Sequence, residues 1–538
     1  IVEKDVAIPM RDGAVIYADV FRPDTTEPVP IIMNIGVYMK DKLWVPPEDL
    51  EEKPNPYMNW ESGNPLWWCP RNYAIVRVDA RGSGKSPGRS EPSSYAESLD
   101  YYDAVEWMAK RPWSNGKVGT LGISYLAASQ WRLANLNPPS LKCILPWEGR
   151  ADQYRDQAYH GGIFAMGFIG SWYLNWTAQH LLGRTRSHNP QAFNNNMMWE
   201  YMSHSLDSGY WREASAKWDQ IKVPVYSAGN WTSFSLHLRG NTEPWLNLKK
   251  NKKLRIHSGT HFHAFYSEEG RQDQLRWFDY WLKGIDTGIM DEPPVKLEIR
   301  TGGKKGRYDF RFEDDFPIPR TKWTKWYLAI EREPNGKPED TEGQLLPANP
   351  KEEKKLTYNA GPAPHGGGGH HRNACSFLTP PMAEATEITG PLVMNVWVSS
   401  TTEDADLMVT LRNIGPDGKE VQEVGPQGPP TVLTKGWLRA SHRKLDKEKS
   451  LPYRPYHAHD ERWWLTPGEP VECQVEIWAT SIVLQKGHRL RVDIQSQDGV
   501  GTGVYTHFSN DYKAHAQNSI HSGGAKESYL LVPIIPAK

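Results

Sequence analysis

The chain has 538 residues, 38% hydrophobic and 24% charged, the balance of a globular protein too long for one core and long enough for two or three domains. Its 63 Lys and Arg against 64 Asp and Glu leave a formal net charge of −1, which argues against the single-sign field that gathers nucleic acid or anionic lipid. The apolar runs are short and broken by charge, so no membrane span is expected.

The chain opens on "IVEKDVAIPM", which has neither the basic start nor the apolar stretch of a secretory leader. Cys69, Cys143, Cys375 and Cys473 lie far apart and match no metal spacing. Buried thiols in a reducing, cytoplasmic compartment are expected, and no cofactor or metal is called for. From "VAIPMRDGAVIYADVFRP" through "VPIIMNIGVY" to "YAIVRVDARGSG" the pattern is of strands parted by Gly, Pro and Asp turns. "SYAESLDYYDAVEWMAKRP" has helical spacing; the strand "KVGTLGIS", the helix "YLAASQWRLANL" and the strand "LKCILPWEG" follow. After residue 220, "VPVYSAGNW" and "KLRIHSGTH" resume the strand pattern, and the amphipathic helix "GRQDQLRWFDYWLKGI" closes it. Alternation of this kind predicts an α/β fold on a mostly parallel, doubly wound sheet, with core segments at 1–149 and 221–320.

Between "LKCILPWEG" and "VPVYSAGNW" lie roughly seventy residues, where such a link normally takes about 2–6. The stretch is rich in Trp, Tyr, Met and His and is read as a helical cap over 150–220. The chain holds 24 Trp, many between 172 and 231, and Trp172 and Trp231 are expected to wall a site for a bulky apolar or aromatic group. Beyond residue 320, "KWYLAI", "GPLVMNVWVSS", "ADLMVTLRNI", "VECQVEIWAT", "HRLRVDIQS" and "ESYLLVPII" are short strands with little helix, so 321–538 reads as an all-β sandwich.

Gly122-Ile123-Ser124-Tyr125-Leu126-Ala127 joins a strand directly to a helix. That is the setting in which a cramped turn pushes a serine hydroxyl out as a nucleophile. The usual second glycine is Leu126 here. A serine needs a base to take its proton, and "LRIHSGTHFHAF" offers His257, His261 and His263. His257 lies within the strand pattern and is expected to be packed; His261, in the loop, is the preferred base. The turn after "VPVYSAGN" reads Trp231-Thr232-Ser233 and lacks the carboxylate that would orient the imidazole. Glu148, just past the preceding strand at the same sheet edge, is the candidate acid, with Asp152 in reserve. "RGSGKSPG" (81–88) fails as a phosphate loop because Asp79 stands where the first Gly must be. "HGGGGHH" (365–371) is read as a flexible tract.

The joint occurrence of "MRDGAVIYADVFRP", "DARGSGKSPG", "GISYLAASQW" and a late "KGHRLRVDIQS" resembles the CocE/NonD hydrolases, cocaine-esterase-like relatives of the X-prolyl dipeptidyl aminopeptidases. The resemblance implies an α/β-hydrolase core, an inserted helical cap and a C-terminal jelly roll, with Ser–His–Asp chemistry on esters or amides. It implies Ser124 as nucleophile, His261 as base, and an oxyanion hole formed by Tyr38 and the backbone N–H of Tyr125. The family aspartate would fall on Thr232, a departure that leaves Glu148 as its substitute. The expected partner is a small ester or amide; nucleic acid and membrane are not expected, and association with identical chains is an open option. Three other functions stay on the table: an acyltransferase or cyclase that releases its product to another nucleophile, an X-prolyl aminopeptidase, and a binding protein without turnover.

Overall fold

Apolar runs in the first half of the chain fold as strands covered on both faces. The structure, a computed structural model, describes residues 1–177, 197–302, 309–334, 340–360, 374–498, 505–507 and 516–537. Strands β1 (Val2–Pro9) and β2 (Val15–Phe21) form an antiparallel pair, and β2 runs antiparallel to β4 (Ala74–Asp79). Next to β4 lies β3 (Val29–Gly36), followed by β5 (Ser114–Ile123), β6 (Leu141–Trp147), β7 (Val225–Asn230) and β8 (Lys252–His257), all parallel. Their spatial order is β1-β2-β4-β3-β5-β6-β7-β8. Every residue of β3, β4 and β7 is buried, which is why these stretches read as continuous apolar runs without alternation.

Four helices matter for the site: α1 (Tyr95–Ala109), α2 (Tyr125–Leu136), α3 (Leu238–Asn247) and α4 (Glu268–Phe278). The Ser94 side chain caps α1 by accepting the Glu97 N–H, satisfying one of the four donors a helix start leaves orphaned. Helix α2 is buried continuously from Tyr125 to Ala134, so its small and apolar residues run all round instead of forming one stripe.

"RGSGKSPG" has a structural purpose. The buried Asp79 carboxylate at the end of β4 accepts the backbone N–H of Lys40 at 2.7 Å and of Lys85 at 2.9 Å. A Cβ on Gly84 would stand 2.2 Å from that carboxylate, so the glycine lets the loop fold down onto it and tie it to the loop after β3. Burial pushes the Asp79 carboxyl up to about 7, against these N–H groups.

The chain divides into two units: Ile1–Asp156, Ile169–Ser203 and Gly209–Lys296 in one, Gln157–Phe168, His204–Ser208 and Leu297–Lys538 in the other. The segment 150–220 therefore contributes to both. Its described part consists of short pieces: helical turns at Gln153–Ala158 and Tyr173–Thr177, a hairpin of Tyr159–His160 with Ile163–Phe164, and helices Met166–Trp172, Met197–Ser203 and Gly209–Glu213.

The second unit is built on one large, mostly antiparallel sheet. Its long strands are β9 (Lys322–Ile330), β10 (Thr386–Ser400), β11 (Asp406–Ile414), β12 (Thr434–Arg439), β13 (Val471–Leu484), β14 (Arg489–Gln495), β15 (Gln517–Ser522) and β16 (Tyr529–Ile535). Strand β16 pairs with both β9 and β10, which closes the sheet on itself into a barrel-like ring. Leu328, Met394, Val409, Val475, Val492 and Leu530 are among the side chains that fill it. The tract "HGGGGHH" lies outside the described residues. No helix among the described residues is long and apolar enough to cross a membrane, and the four cysteines are free, with Cys143, Cys375 and Cys473 buried.

Candidate active site

Ser124 stands between the last residue of β5 and the first of α2 with φ +58° and ψ −114°, a left-handed conformation that costs a side-chain-bearing residue about 1–3 kcal/mol. Such a turn needs empty space around it. A Cβ on Gly122 would come 2.5 Å from Leu126 Cβ, one on Gly36 2.4 Å from Leu126 Cδ2, and one on Gly149 2.5 Å from Ala127 Cβ. Leu126, in the place of the usual glycine, is thus accommodated by glycines on β3 and β5. The N–H of Tyr125 belongs to the first turn of α2, where backbone donors have no partner within the helix.

Ser124 is buried, and its Oγ lies 3.1 Å from Nε2 of His237. His237 sits between β7 and α3, and its Nδ1 is 2.9 Å from Ser233 Oγ. Burial, followed by the neighbouring His261 charge, holds the His237 pKa well below the usual imidazole value, against the pull of Glu148. Its ring is therefore neutral, the state a base requires.

Glu148, directly after β6, has φ +48° and is fully buried. Its Oε2 is 2.8 Å from His261 Nδ1 and 4.0 Å from His237 Nδ1. Its Oε1 is 3.0 Å from His257 Nε2 and accepts the Asn230 amide at 3.2 Å. Burial alone would raise this carboxyl, but His261 and His257 hold it far below its ordinary value. The other nitrogen of His261, Nε2, is 3.1 Å from Glu61 Oε1. Burial works against a charge on His261, yet Glu148 and Glu61 outweigh it and lift the ring to about 10. His261 is accordingly an imidazolium, stacked at 5.2 Å and 13° on the neutral His237.

Ser124, Glu148 and His261 fall in one cluster, but the imidazole on the serine hydroxyl is His237, whereas His261 faces two carboxylates. His257 is packed in β8, as expected. His263 pairs outward with Asp49 at 3.2 Å. Asp152 accepts the N–H groups of Tyr154 and Arg155 and pairs with the Arg155 guanidinium at 3.0 Å, so its carboxylate holds a local turn. Thr232 donates to Asn230 Oδ1 at 3.0 Å and supports the β7 turn. Trp231 is fully buried, its backbone N–H donating to the His257 carbonyl at 2.8 Å. Trp172 stacks on Tyr125 at 5.6 Å and donates its indole N–H to the Tyr38 hydroxyl at 3.2 Å. Tyr38 packs edge-on against Tyr125 at 6.0 Å, and burial raises its pKa well above the usual phenol value, which keeps it an O–H donor.

His237, Ser233 and Glu61 escaped the sequence reading. The first two meet across a turn that precedes α3, in which Ser235 has φ +79°, and no periodic signal in the sequence marks such a turn. Glu61 has no signal either, because it reaches His261 from two hundred residues away.

Comparison with known proteins agrees with this architecture. Residues 12–263 match the family model described as X-Pro dipeptidyl-peptidase (S15 family), and 287–531 match that of the X-Pro dipeptidyl-peptidase C-terminal non-catalytic domain. The crystal structure of a CocE/NonD family hydrolase from Staphylococcus aureus is similar at a TM-score of 0.87 and 30% identity, covering 99% of this chain and 93% of that one. The cocaine esterase of Rhodococcus sp. (strain MB1 Bresler) is 25% identical over 99% of this chain and 98% of its own length. A putative serine esterase of Mycobacterium bovis is 25% identical over 91% and 90%. The first unit is thus an α/β-hydrolase-type domain and the second the β-rich non-catalytic domain that accompanies it.

Proposed function

The chain belongs to the CocE/NonD family of hydrolases, and from that premise we propose that it cleaves a carboxylic ester with a bulky apolar or aromatic group through a serine acyl-enzyme. One observation carries this reading: the 3.1 Å contact between Ser124 Oγ and a neutral His237. Because Nε2 accepts the hydroxyl proton, the ring's own proton sits on Nδ1, where it is donated to Ser233 Oγ. Ser124 Oγ attacks the carbonyl carbon as its proton passes to His237. The oxyanion that forms is met by the Tyr125 N–H and the Tyr38 hydroxyl, a contribution worth about 3–4 kcal/mol per donor. Collapse expels the alcohol, which takes the proton back from His237. Water then repeats the sequence and releases the acid.

Glu148 supports the imidazolium on His237 from 4.0 Å, a weaker arrangement than a carboxylate bonded directly to Nδ1. A specific contact favours a second reading, in which His261 is the base and Glu148 its orienting acid: their 2.8 Å hydrogen bond. The substrate class is supported by an aromatic chain that starts at the oxyanion residues. Tyr38 packs on Trp176 at 4.6 Å, Trp176 on Trp60 at 5.1 Å, and Trp60 on Phe262 at 5.0 Å. We read 150–220 as a cap and the C-terminal sheet as a jelly roll with a supporting role.

The test is a fluorophosphonate probe combined with ester profiling. Labelling at Ser124, with aromatic esters turned over faster than acetates, is the expected result. An unlabelled Ser124 would favour a binding protein on this fold.

A further inference from the structure

We propose that Glu148, His237 and His261 also form a zinc site, and that zinc bound there switches the serine off. The inhibitory part rests on the Ser124–His237 assignment above; the site itself does not. Among the described residues these three form the one group of metal-binding side chains whose donor atoms all lie within 4.8 Å of one another. Two imidazoles and a carboxylate are a zinc donor set, and tetrahedral zinc with bonds of about 2.0–2.2 Å holds its ligand atoms about 3.3 Å apart. The Glu148 Oε2 distances to the two Nδ1 atoms, 2.8 Å and 4.0 Å, bracket that value.

The surroundings are an independent argument. A histidine bound to metal through one nitrogen donates its other N–H to an outer partner, commonly a carboxylate. His261, bound through Nδ1, would donate Nε2–H to Glu61 Oε1 at 3.1 Å. Glu148, binding through Oε2, already has its Oε1 fixed by His257 and Asn230. His237, bound through Nδ1, would donate Nε2–H to Ser124 Oγ at 3.1 Å. Each ligand therefore has a partner of the right polarity on its far side.

The inhibition follows from proton placement. Metal on His237 Nδ1 leaves the ring's one proton on Nε2, the atom facing Ser124 Oγ. That nitrogen then donates and cannot accept, so the serine keeps its proton.

The experiment uses the full chain, freed of metal with a chelator and dialysed against zinc buffers, with bound metal counted and 4-nitrophenyl ester turnover followed in parallel. One zinc per chain is expected, with turnover falling about tenfold or more and returning on chelation. Ser124→Ala should bind zinc as the wild type does, so the site is tested even if the chain proves not to be a hydrolase. His261→Asn and Glu148→Gln should each weaken binding about 10–100-fold. Should those variants fail to fold, cobalt added to the wild type must give the strong visible bands of four-coordinate metal. A wild type that takes up no zinc or cobalt, or variants that bind as well as it does, overturns the site. Zinc bound through these ligands with turnover unchanged overturns the switch.

Discussion

The turn after β7 and the loop after β8 each bring one histidine to Glu148, yet the two rings end in opposite charge states. His237 meets a hydroxyl on either side, from Ser124 and Ser233, and burial keeps it neutral. His261 meets a carboxylate on either side, and its proton is held to about 10. The lesson is electrostatic: for two stacked imidazoles sharing a buried site, the one with closer carboxylates takes the charge and lowers its neighbour. A base must be unprotonated near neutral pH, so the difference favours the proposal that His237 accepts the proton.

The comparison can be broken at its largest joint. Ser124→Ala should lower kcat by about 10⁴-fold or more; activity within tenfold of wild type would remove this hydroxyl from the chemistry. Next, His237→Gln is expected to cost about 10³-fold in kcat, with His261→Gln costing no more than about 10²-fold. The opposite ranking, read from steady-state rates on one ester, would transfer the base to the β8 loop. Glu148→Gln touches both rings and should cost about 10²-fold or more, while Asp152→Asn should stay within about threefold, since that carboxylate serves a local turn.

The pH profile separates the two rings without mutation. A base works in its neutral form, so activity rises with pH through its pKa and is level above it. With His237, whose pKa lies below the usual value, kcat/KM should be level from about pH 7 to 9 and fall only on the acid side of about 6.5. With His261, at about 10, it should climb roughly tenfold per unit across the same range.

How much of this was written in the sequence depends on chain distance. The buried runs of β3 to β8 and the helical spacing of α1 and α2 are local, period-based signals, and the strand–Ser124–helix junction is equally local. Glu148 was legible because a residue just past a parallel strand lies at the edge where its neighbours' loops converge. The ring that meets Ser124 was not, because "SGTHFHAF" and "FSLHLRG" both follow core strands and nothing in either states which imidazole a distant carboxylate will charge. Glu61 was invisible for the same reason. "RGSGKSPG" could be rejected as a phosphate loop from spacing, but the purpose of Gly84, its approach to Asp79, is a contact set by folding and not by spacing.

The smallest effect tests the packing that lets Leu126 stand where a glycine is usual. Gly122→Ala would put its methyl 2.5 Å from Leu126 Cβ and 3.5 Å from the Glu61 carbonyl. The first neighbour is a methylene fixed directly to the backbone of a buried helix, unable to swing aside, so the clash should cost about 1–3 kcal/mol of stability. Leu126→Ala leaves that Cβ in place and should relieve little of it, whereas Leu126→Gly removes the atom concerned and should recover most of it. In denaturant titrations the Gly122–Leu126 cycle should therefore show coupling of about 1 kcal/mol or more for the glycine variant only. Equal coupling for both would mean that the long Leu126 side chain over Gly36, not its Cβ, is what presses on the turn.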